Sequence, residues 1–195
     1  IFLGNDPSSS TDNAENSIGI GTTALDAITS GDQNVAIGFN SMTDATTGSN
    51  NTMVGYRAGK AITNGNNNIG LGYDAIKGAT SGSGNIAIGY GALDVADTES
   101  NNIAIGMDAL GGSIAGGEFN VAIGNYVLDA NTSGDYNTAI GNQAMGANTT
   151  GGSNLAIGHV ALASNTTGSI NVGVGQSTLN GNTTGTRNTA LGYGA

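Results

Sequence analysis

The sequence contains no cysteine and no tryptophan, and Pro7 is its only proline. The lack of cysteine excludes disulfides and thiol sites. Only 9% of the residues are charged, and just Arg57, Lys60, Lys77 and Arg187 are basic, so the formal net charge is −10. A chain with so few cations lacks the basic patch that binding to nucleic acid or to an anionic membrane surface requires.

Long apolar runs are also missing. No stretch of about 18 apolar residues predicts a transmembrane helix, and no secretory signal peptide is visible. The 35 glycines are more than twice the usual share of about 7%, and the aliphatic residues are short and evenly spread. We interpret residues 1–195 as one tandem-repeat segment, a fragment of a longer fibre whose export and anchoring parts lie elsewhere.

The strongest signal is an internal repeat, the motif Asn-x-small-aliphatic-Gly. Its glycines recur every 17 residues, except for one spacing of 18 between Gly106 and Gly124. We place the extra residue in the stretch 111–117 and expect a small bulge there, or a short protruding loop. The repeated glycines are Gly4, Gly21, Gly38, Gly55, Gly72, Gly89, Gly106, Gly124, Gly141, Gly158, Gly175 and Gly192.

Repeat positions are numbered here from 1 to 17, beginning at the motif asparagine. Position 1 is Asn34, Asn51, Asn68, Asn85, Asn102, Asn120, Asn137, Asn154, Asn171 and Asn188, with Ser17 replacing it once. Position 2 is mostly β-branched, position 3 is almost always Ala or Gly, and position 4 is always aliphatic. Position 8 is usually Ala, position 9 is usually Leu or Met, and position 15 is Gly in nearly every repeat.

This pattern predicts an all-β fold, a parallel β-roll or solenoid of about eleven 17-residue coils. Positions 1–4 form a short strand with positions 2 and 4 on one face, and positions 8 and 9 begin a second strand. The glycines at positions 5 and 15 provide the corners. Seventeen residues with two glycines are too few for a pair of stable helices.

Stacking such coils at about 4.8 Å brings identical residues together. Position 1 then becomes an asparagine ladder with hydrogen bonds along the axis. Positions 3 and 8 are small residues, so an interior lined by them would be thin. The larger apolar residues at positions 2, 4 and 9 would then form more than one apolar face, which is more apolar surface than one coil can bury. That surplus predicts a partner surface, which a symmetric oligomer would bury.

Four segments resemble the head repeats of trimeric autotransporter adhesins, the YadA-like heads, and the repeats of phage-type tail fibres and related bacterial surface fibres. They are Asn34–Gly38, Asn85–Gly89, Asn102–Gly106 and Asn120–Gly124. The resemblance implies a left-handed β-roll assembled as a side-by-side homotrimer, exposed outside the cell or on a virion, with a role in adhesion or host recognition. The repeat is longer than in the adhesin heads, with an extra Thr-Thr-Gly corner, and this favours the fibre relatives.

Position 6 provides the main candidate for a ligand site. Phe39, Tyr56, Tyr73 and Tyr90 occupy it in four successive coils, and stacking should align them into what we call the aromatic stripe. The stripe is either a platform for a glycan or a protein, or a self-stacked row that stabilises the coils.

Other candidates have simpler interpretations. The threonine rows, such as Thr46-Thr47, suggest corners rather than an ice-binding face, because adjacent residues of a strand point to opposite faces. The acidic residues that share positions 7 and 10 suggest a solvated face rather than a calcium site. We interpret the asparagines of the Asn-Thr-Thr and Asn-Thr-Ser sequons as turn residues; they are Asn131, Asn148, Asn165 and Asn182.

No catalytic constellation is visible, and His159, the only histidine, has no partner in a recognisable motif. The sequence therefore predicts no enzyme and no cofactor. It predicts a structural and adhesive segment of a trimeric surface fibre that attaches to host or prey cells. A tail-fibre spacer and a monomeric ice-binding solenoid are the two alternatives.

Overall fold

The computed structural model describes residues 2–3, 14–112 and 117–195. Its regular secondary structure in these residues consists of short strands, which cover repeat positions 2–4 in every coil from Ser17 onward. Coils are counted from the one that begins at Ser17. The strands are β1 Phe2–Leu3, β2 Ile18–Ile20, β3 Val35–Ile37, β4 Thr52–Val54, β5 Ile69–Leu71, β6 Ile86–Ile88, β7 Ile103–Ile105, β8 Val121–Ile123, β9 Thr138–Ile140, β10 Leu155–Ile157, β11 Val172–Val174 and β12 Thr189–Leu191.

The chain forms two compact units, Ile1–Ser100 and Asn101–Ala195. Within each unit, every strand pairs in parallel with its sequence neighbours, so that Ala36 lies beside Met53 and Ala139 beside Ala156. The partners are one repeat apart, which is the register of a solenoid. The prediction of an all-β parallel solenoid is confirmed, with about ten turns whose strands follow one another about 17 residues apart.

The core of each unit is narrow and is built from small side chains plus one larger row. Position 3 is buried in the strands, as in Ala36 and Ala104, and position 8 is buried opposite it, as in Ala92. Position 9 adds the bulk, because Leu93 and the other Leu, Ile and Met side chains at this position from Leu25 to Leu162 are fully buried. Position 9 is therefore part of the interior and does not contribute to an outer apolar face.

The predicted second strand at positions 8 and 9 is wrong. The side chains of Ala75 and Ile76 are both fully buried, whereas neighbouring side chains of a strand point to opposite faces. The backbone makes this possible by turning left-handed at position 9, with φ 52° at Ile76 and 49° at Met42. Hydrogen bonds still join the coils there, from Met42 N to Ala58 O at 3.1 Å.

Positions 2 and 4 form what we call the outer sheet face of each unit. Their side chains alternate with the buried position 3 and remain partly exposed; Ile88, for example, is 37% exposed. In the first unit the row includes Ile18, Ile20, Val54 and Ile69, all of them exposed. This gives most coils two aliphatic side chains on a surface that lies next to water; the exceptions have Thr52, Thr138 or Thr189 at position 2.

Candidate functional site

The position-1 asparagines form a buried ladder in each unit. Asn51 donates its backbone N–H to Asn34 Oδ1 at 3.0 Å, and its side-chain Nδ2 donates to the same oxygen at 3.2 Å. The Nδ2 group also donates to Gly65 O at 2.9 Å, which closes its own coil. Asn68 and Asn171 repeat these contacts. One amide thus ties the two ends of a coil together and binds that coil to the one before it.

The members of this ladder are fully or largely buried. A short amide can be buried at this position because its donor and acceptor groups are hydrogen-bonded within the protein. Those that the structure brings into this row are Asn34, Asn51, Asn68, Asn85, Asn102, Asn120, Asn137, Asn154, Asn171 and Asn188. Ser17 takes the same place in the first coil, and its hydroxyl accepts the backbone N–H of Asn34 at 3.1 Å.

The position-5 glycines lie where each strand ends, and successive coils pack there through their backbones. Gly55 has φ 144°, a conformation that side chains with a Cβ rarely adopt, and a Cβ would lie below contact distance from Gly72 O. The same is true along the row that contains Gly38, Gly72, Gly106, Gly124, Gly141, Gly158 and Gly175. Gly89 shares the positive φ.

A second buried asparagine ladder lies at position 12 of the second unit. Asn148 Nδ2 donates to Asn131 Oδ1 and to Gly151 O, both at 2.9 Å, and Asn165 repeats the pattern. Each of these sequon asparagines bridges a turn, because its Nδ2 donates to the carbonyl three residues further on. The side chains of Asn131, Asn148 and Asn165 are in addition buried in the core, which the sequence did not predict. The signal that reveals them is their 17-residue spacing at a position that is aliphatic in the first unit, as in Ile28 and Ile62.

The structure brings the aromatic stripe together by face-to-face stacking. Ring centroids lie 5.4 Å apart for Phe39 and Tyr56, 4.8 Å for Tyr56 and Tyr73, and 5.1 Å for Tyr73 and Tyr90. The rings are 39–57% exposed, but the faces of the two middle rings are covered by their neighbours. A sugar ring can therefore stack only at an end of the stripe, and this geometry favours the self-stacked interpretation.

A network of ion pairs runs beside the stripe. Arg57 lies over the ring of Tyr56 at 5.0 Å and pairs with Asp74 through Nε at 2.8 Å and through a second nitrogen at 2.5 Å. Lys77 lies 3.4 Å from Asp74 and 3.3 Å from Asp94. The sequence places Asp74 on a solvated acidic face. For this residue the prediction is wrong, because Asp74 is buried and ion-paired.

These contacts change the pKa values of the two basic side chains, Arg57 and Lys77. The hydrogen bond from Arg57 to Asp74 raises the pKa of the guanidinium above its ordinary value. Burial lowers the pKa of Lys77, but hydrogen bonds and charges of Asp94 and Asp74 outweigh it, so the pKa is raised overall. Both groups remain cationic at neutral pH, and their charge is largely neutralised by adjacent carboxylates.

The threonine row at position 13 uses its hydroxyl hydrogens internally. Thr46 Oγ1 donates to Thr63 O at 3.1 Å, and Thr149 Oγ1 donates to Thr166 O at 3.0 Å. The row therefore acts as another ladder at the corner. Its donors are engaged within the protein, which leaves the hydroxyls only as acceptors toward outside water.

One exposed aromatic pair was missed by the sequence analysis. Phe119 and Tyr136 occupy position 17 of successive coils in the second unit and stack with centroids 5.1 Å apart. Both residues have positive φ, 58° for Phe119 and 57° for Tyr136. Ser153 and Ile170 have the same backbone conformation at this position in the next two coils. Their 17-residue spacing is the signal that could have revealed them.

The described residues contain no group of three or more His, Cys, Asp or Glu side chains that could hold a metal ion. Across the same part of the chain, no helix is long and apolar enough to cross a bilayer. The expected bulge or loop in the stretch 111–117 falls largely on residues 113–116, which lie outside the described residues. A comparison with protein-family models, curated proteins and solved structures finds no match to this chain.

Proposed function

We propose that this chain is a structural and adhesive segment of an extracellular trimeric fibre, in which three left-handed β-rolls pack side by side through the outer sheet face. The observation that carries the proposal is the largely aliphatic row at positions 2 and 4 of each unit, which is interrupted only by Thr52, Thr138 and Thr189. Every one of these side chains is Ile, Val, Leu or Thr in β2 to β12. A regular row of this kind is typical of a surface that a partner covers.

A second copy of the chain is the partner that fits this row best. The row repeats every 17 residues, and an identical chain presents the same repeat with the same coil spacing. Identical chains therefore match coil for coil within each unit, whereas an unrelated globular partner would not. Three chains arranged around one axis would each bury the row once, which closes the assembly.

Solution mass measured by light scattering tests the proposal. The expected mass is three times the 19.0 kDa of one chain. Replacing Ile69 and Ile88 by Lys should reduce it to that of one chain, since like charges would face each other in the interface. Val95→Lys is the matched control, because Val95 is an exposed aliphatic residue of the same unit outside the face. A wild-type mass of one chain would overturn the trimer.

A purely mechanical spacer, as in a tail fibre, is the second candidate. The stacked stripe favours it for the first unit, because the faces of the middle rings are already covered. A spacer binds no cells, so attachment assays with the purified segment separate the two roles. Thermal hysteresis at micromolar protein would instead revive the ice-binding solenoid, which the internal hydrogen bonds of the threonine row disfavour.

A further inference from the structure

A groove of about 310 Å³ lies on the side of the second unit, at repeat positions 7, 10 and 11. It is lined by Tyr126, Asp129, Gln143, Gly146, Ala147 and Ala163, and we call it the side groove. The side groove is open because position 10 carries the small residues Gly146 and Ala163 in successive coils, whereas the first unit has larger residues there, namely Asp26, Thr43, Lys60, Lys77 and Asp94. Its volume lies at the small end of ligand sites, about 300–1,000 Å³, and therefore suits one ring of a larger molecule.

The floor of the side groove is formed by hydrogen-bonded backbone. Ala130 N donates to Gly146 O at 3.2 Å, and Ala147 N donates to Ala163 O at 3.1 Å. A Cβ added to Gly146 would approach only the backbone oxygens of Gln143 and Tyr126, each at 3.5 Å. The space above Gly146 is therefore open, and the ladder holds the floor in place before any ligand arrives.

The walls combine an aromatic ring with polar groups of two kinds. Tyr126 is exposed, and among the described residues its ring stacks on no other ring, unlike those of the aromatic stripe. The Asp129 carboxylate accepts hydrogen bonds, and the Gln143 amide both donates and accepts them. A pyranose offers the complementary surface, since it has an apolar C–H face and a rim of hydroxyls that donate and accept.

The charge of the site selects among ligands. The lining contains one carboxylate and no cation, and the whole chain has a net charge of −10. Phosphorylated or carboxylated ligands are therefore repelled. A single carboxylate is also too few for a calcium site, which takes six to eight oxygen ligands.

We infer that the side groove binds a neutral hexopyranose unit of a glycan. This inference rests on the proposed function, because a glycan would be the ligand through which the segment attaches to cells. It does not depend on the trimer. The side groove lies at positions 7, 10 and 11, whereas the outer sheet face lies at positions 2 and 4, so trimer formation leaves the side groove accessible.

Saturation-transfer NMR on the full chain tests the inference with five free sugars, namely galactose, glucose, mannose, N-acetylglucosamine and sialic acid. We expect transfer to at least one of the four neutral sugars and none to anionic sialic acid. Gly146→Leu should abolish the transfer by filling the side groove. Gly181→Leu is the matched control, because a Cβ there meets nothing within 4 Å and lies outside the groove, so it should retain the transfer.

Two results would overturn the inference: no transfer to any neutral sugar, or equal transfer in Gly146→Leu and wild type. Should Gly146→Leu fail to fold, Asp129→Ala takes its place, because Ala163 already occupies the same repeat position. It should weaken binding of the neutral sugar at least tenfold, and unchanged affinity would contradict the site.

Light scattering on the same samples separates this inference from the trimer. A mass of three chains without sugar binding would overturn the side groove alone. A mass of one chain with sugar binding would overturn the trimer alone.

Discussion

At the scale of single residues, the core of the third coil shows an exchange of large and small side chains. Met53 stands at position 3, where other coils have Ala or Gly, and Gly59 stands at position 9, where others have Leu, Met or Ile. A Cβ on Gly59 would lie 2.8 Å from both Cγ and Sδ of Met53, and one on Gly70 would lie 2.5 Å from the same sulfur. The methionine therefore fills the space that both glycines leave.

This exchange predicts strong coupling between Met53 and Gly59. Met53→Ala should cost about 2–5 kcal/mol by leaving a cavity, and Gly59→Leu about 1–3 kcal/mol by overpacking. The double variant should recover most of the loss, because Ala87 and Leu93 already form this pair in another coil of the same unit. Leu93 shows that leucine accepts the required backbone, with φ 53°. Urea unfolding of the four proteins measures the cycle, and additive losses would contradict the exchange.

Much of the ladder chemistry was visible in the sequence because the repeat places identical residues in register. The position-1 asparagines were predicted to bond along the axis, and the structure adds that Asn51 also closes its own coil through Gly65. The position-12 asparagines were predicted as turn residues, and Asn148 does bridge its turn by donating to Gly151 O at 2.9 Å. Their burial was not predicted. Only the coil geometry shows that position 12 faces the core.

At the scale of the strands, the position-5 glycine decides how closely two coils can stack. Gly55→Ala should lower the melting temperature strongly, since the new methyl group would meet Gly72 O in addition to straining the backbone. Gly192→Ala separates the two effects. Gly192 also has positive φ, 116°, but a Cβ there meets nothing within 4 Å.

The strained φ alone costs about 1–3 kcal/mol, so Gly192→Ala should cause a modest shift in the melting temperature. Gly55→Ala should exceed it clearly, and differential scanning calorimetry measures both. Similar shifts in the two variants would mean that backbone strain, and not the approach of the next coil, requires glycine at this position.

The strand at positions 2–4 of each coil could be predicted from the sequence, whereas the backbone at positions 8 and 9, on the opposite side of the coil, could not. Alternation of side chains over positions 2–4 is a local property, and it placed Ala36 inside and Val35 and Ile37 outside. At positions 8 and 9 the adjacent small and large residues suggested a second alternating strand. The left-handed backbone at residues such as Leu25, φ 56°, has no local sequence signal, because leucine alone does not favour that conformation.

At the scale of the whole molecule, the two units solve the same packing problem with different chemistry. Position 12 is aliphatic in the first unit, as in Ile28 and Ile62, and is an asparagine ladder in the second, as in Asn148 and Asn165. The first unit has the aromatic stripe with a network of ion pairs beside it, and the second has the side groove. The coil is thus a constant frame on which different outward rows can be placed.

A frame of this kind should tolerate the loss of one whole coil. Removal of residues 137–153 takes out one 17-residue repeat and joins Tyr136 to Asn154, so every later residue keeps its repeat position. Because the stability of a solenoid is close to a sum over repeats and their interfaces, we expect cooperative unfolding with only a small fall in melting temperature. Circular dichroism during heating measures this.

Removal of residues 142–150 alone is the control, because it deletes less sequence but destroys the register. It joins Gly141 directly to Gly151 and so removes the side of the coil that lies between its two corners. The carbonyl of Gly151, to which Asn137 Nδ2 donates at 2.9 Å, then no longer lies in the required place. We expect this shorter deletion to be the more damaging of the two, with loss of the cooperative transition. If the whole-coil deletion proved equally damaging, the stability of the molecule would depend on contacts beyond neighbouring coils, and the treatment of each coil as an exchangeable unit would be wrong.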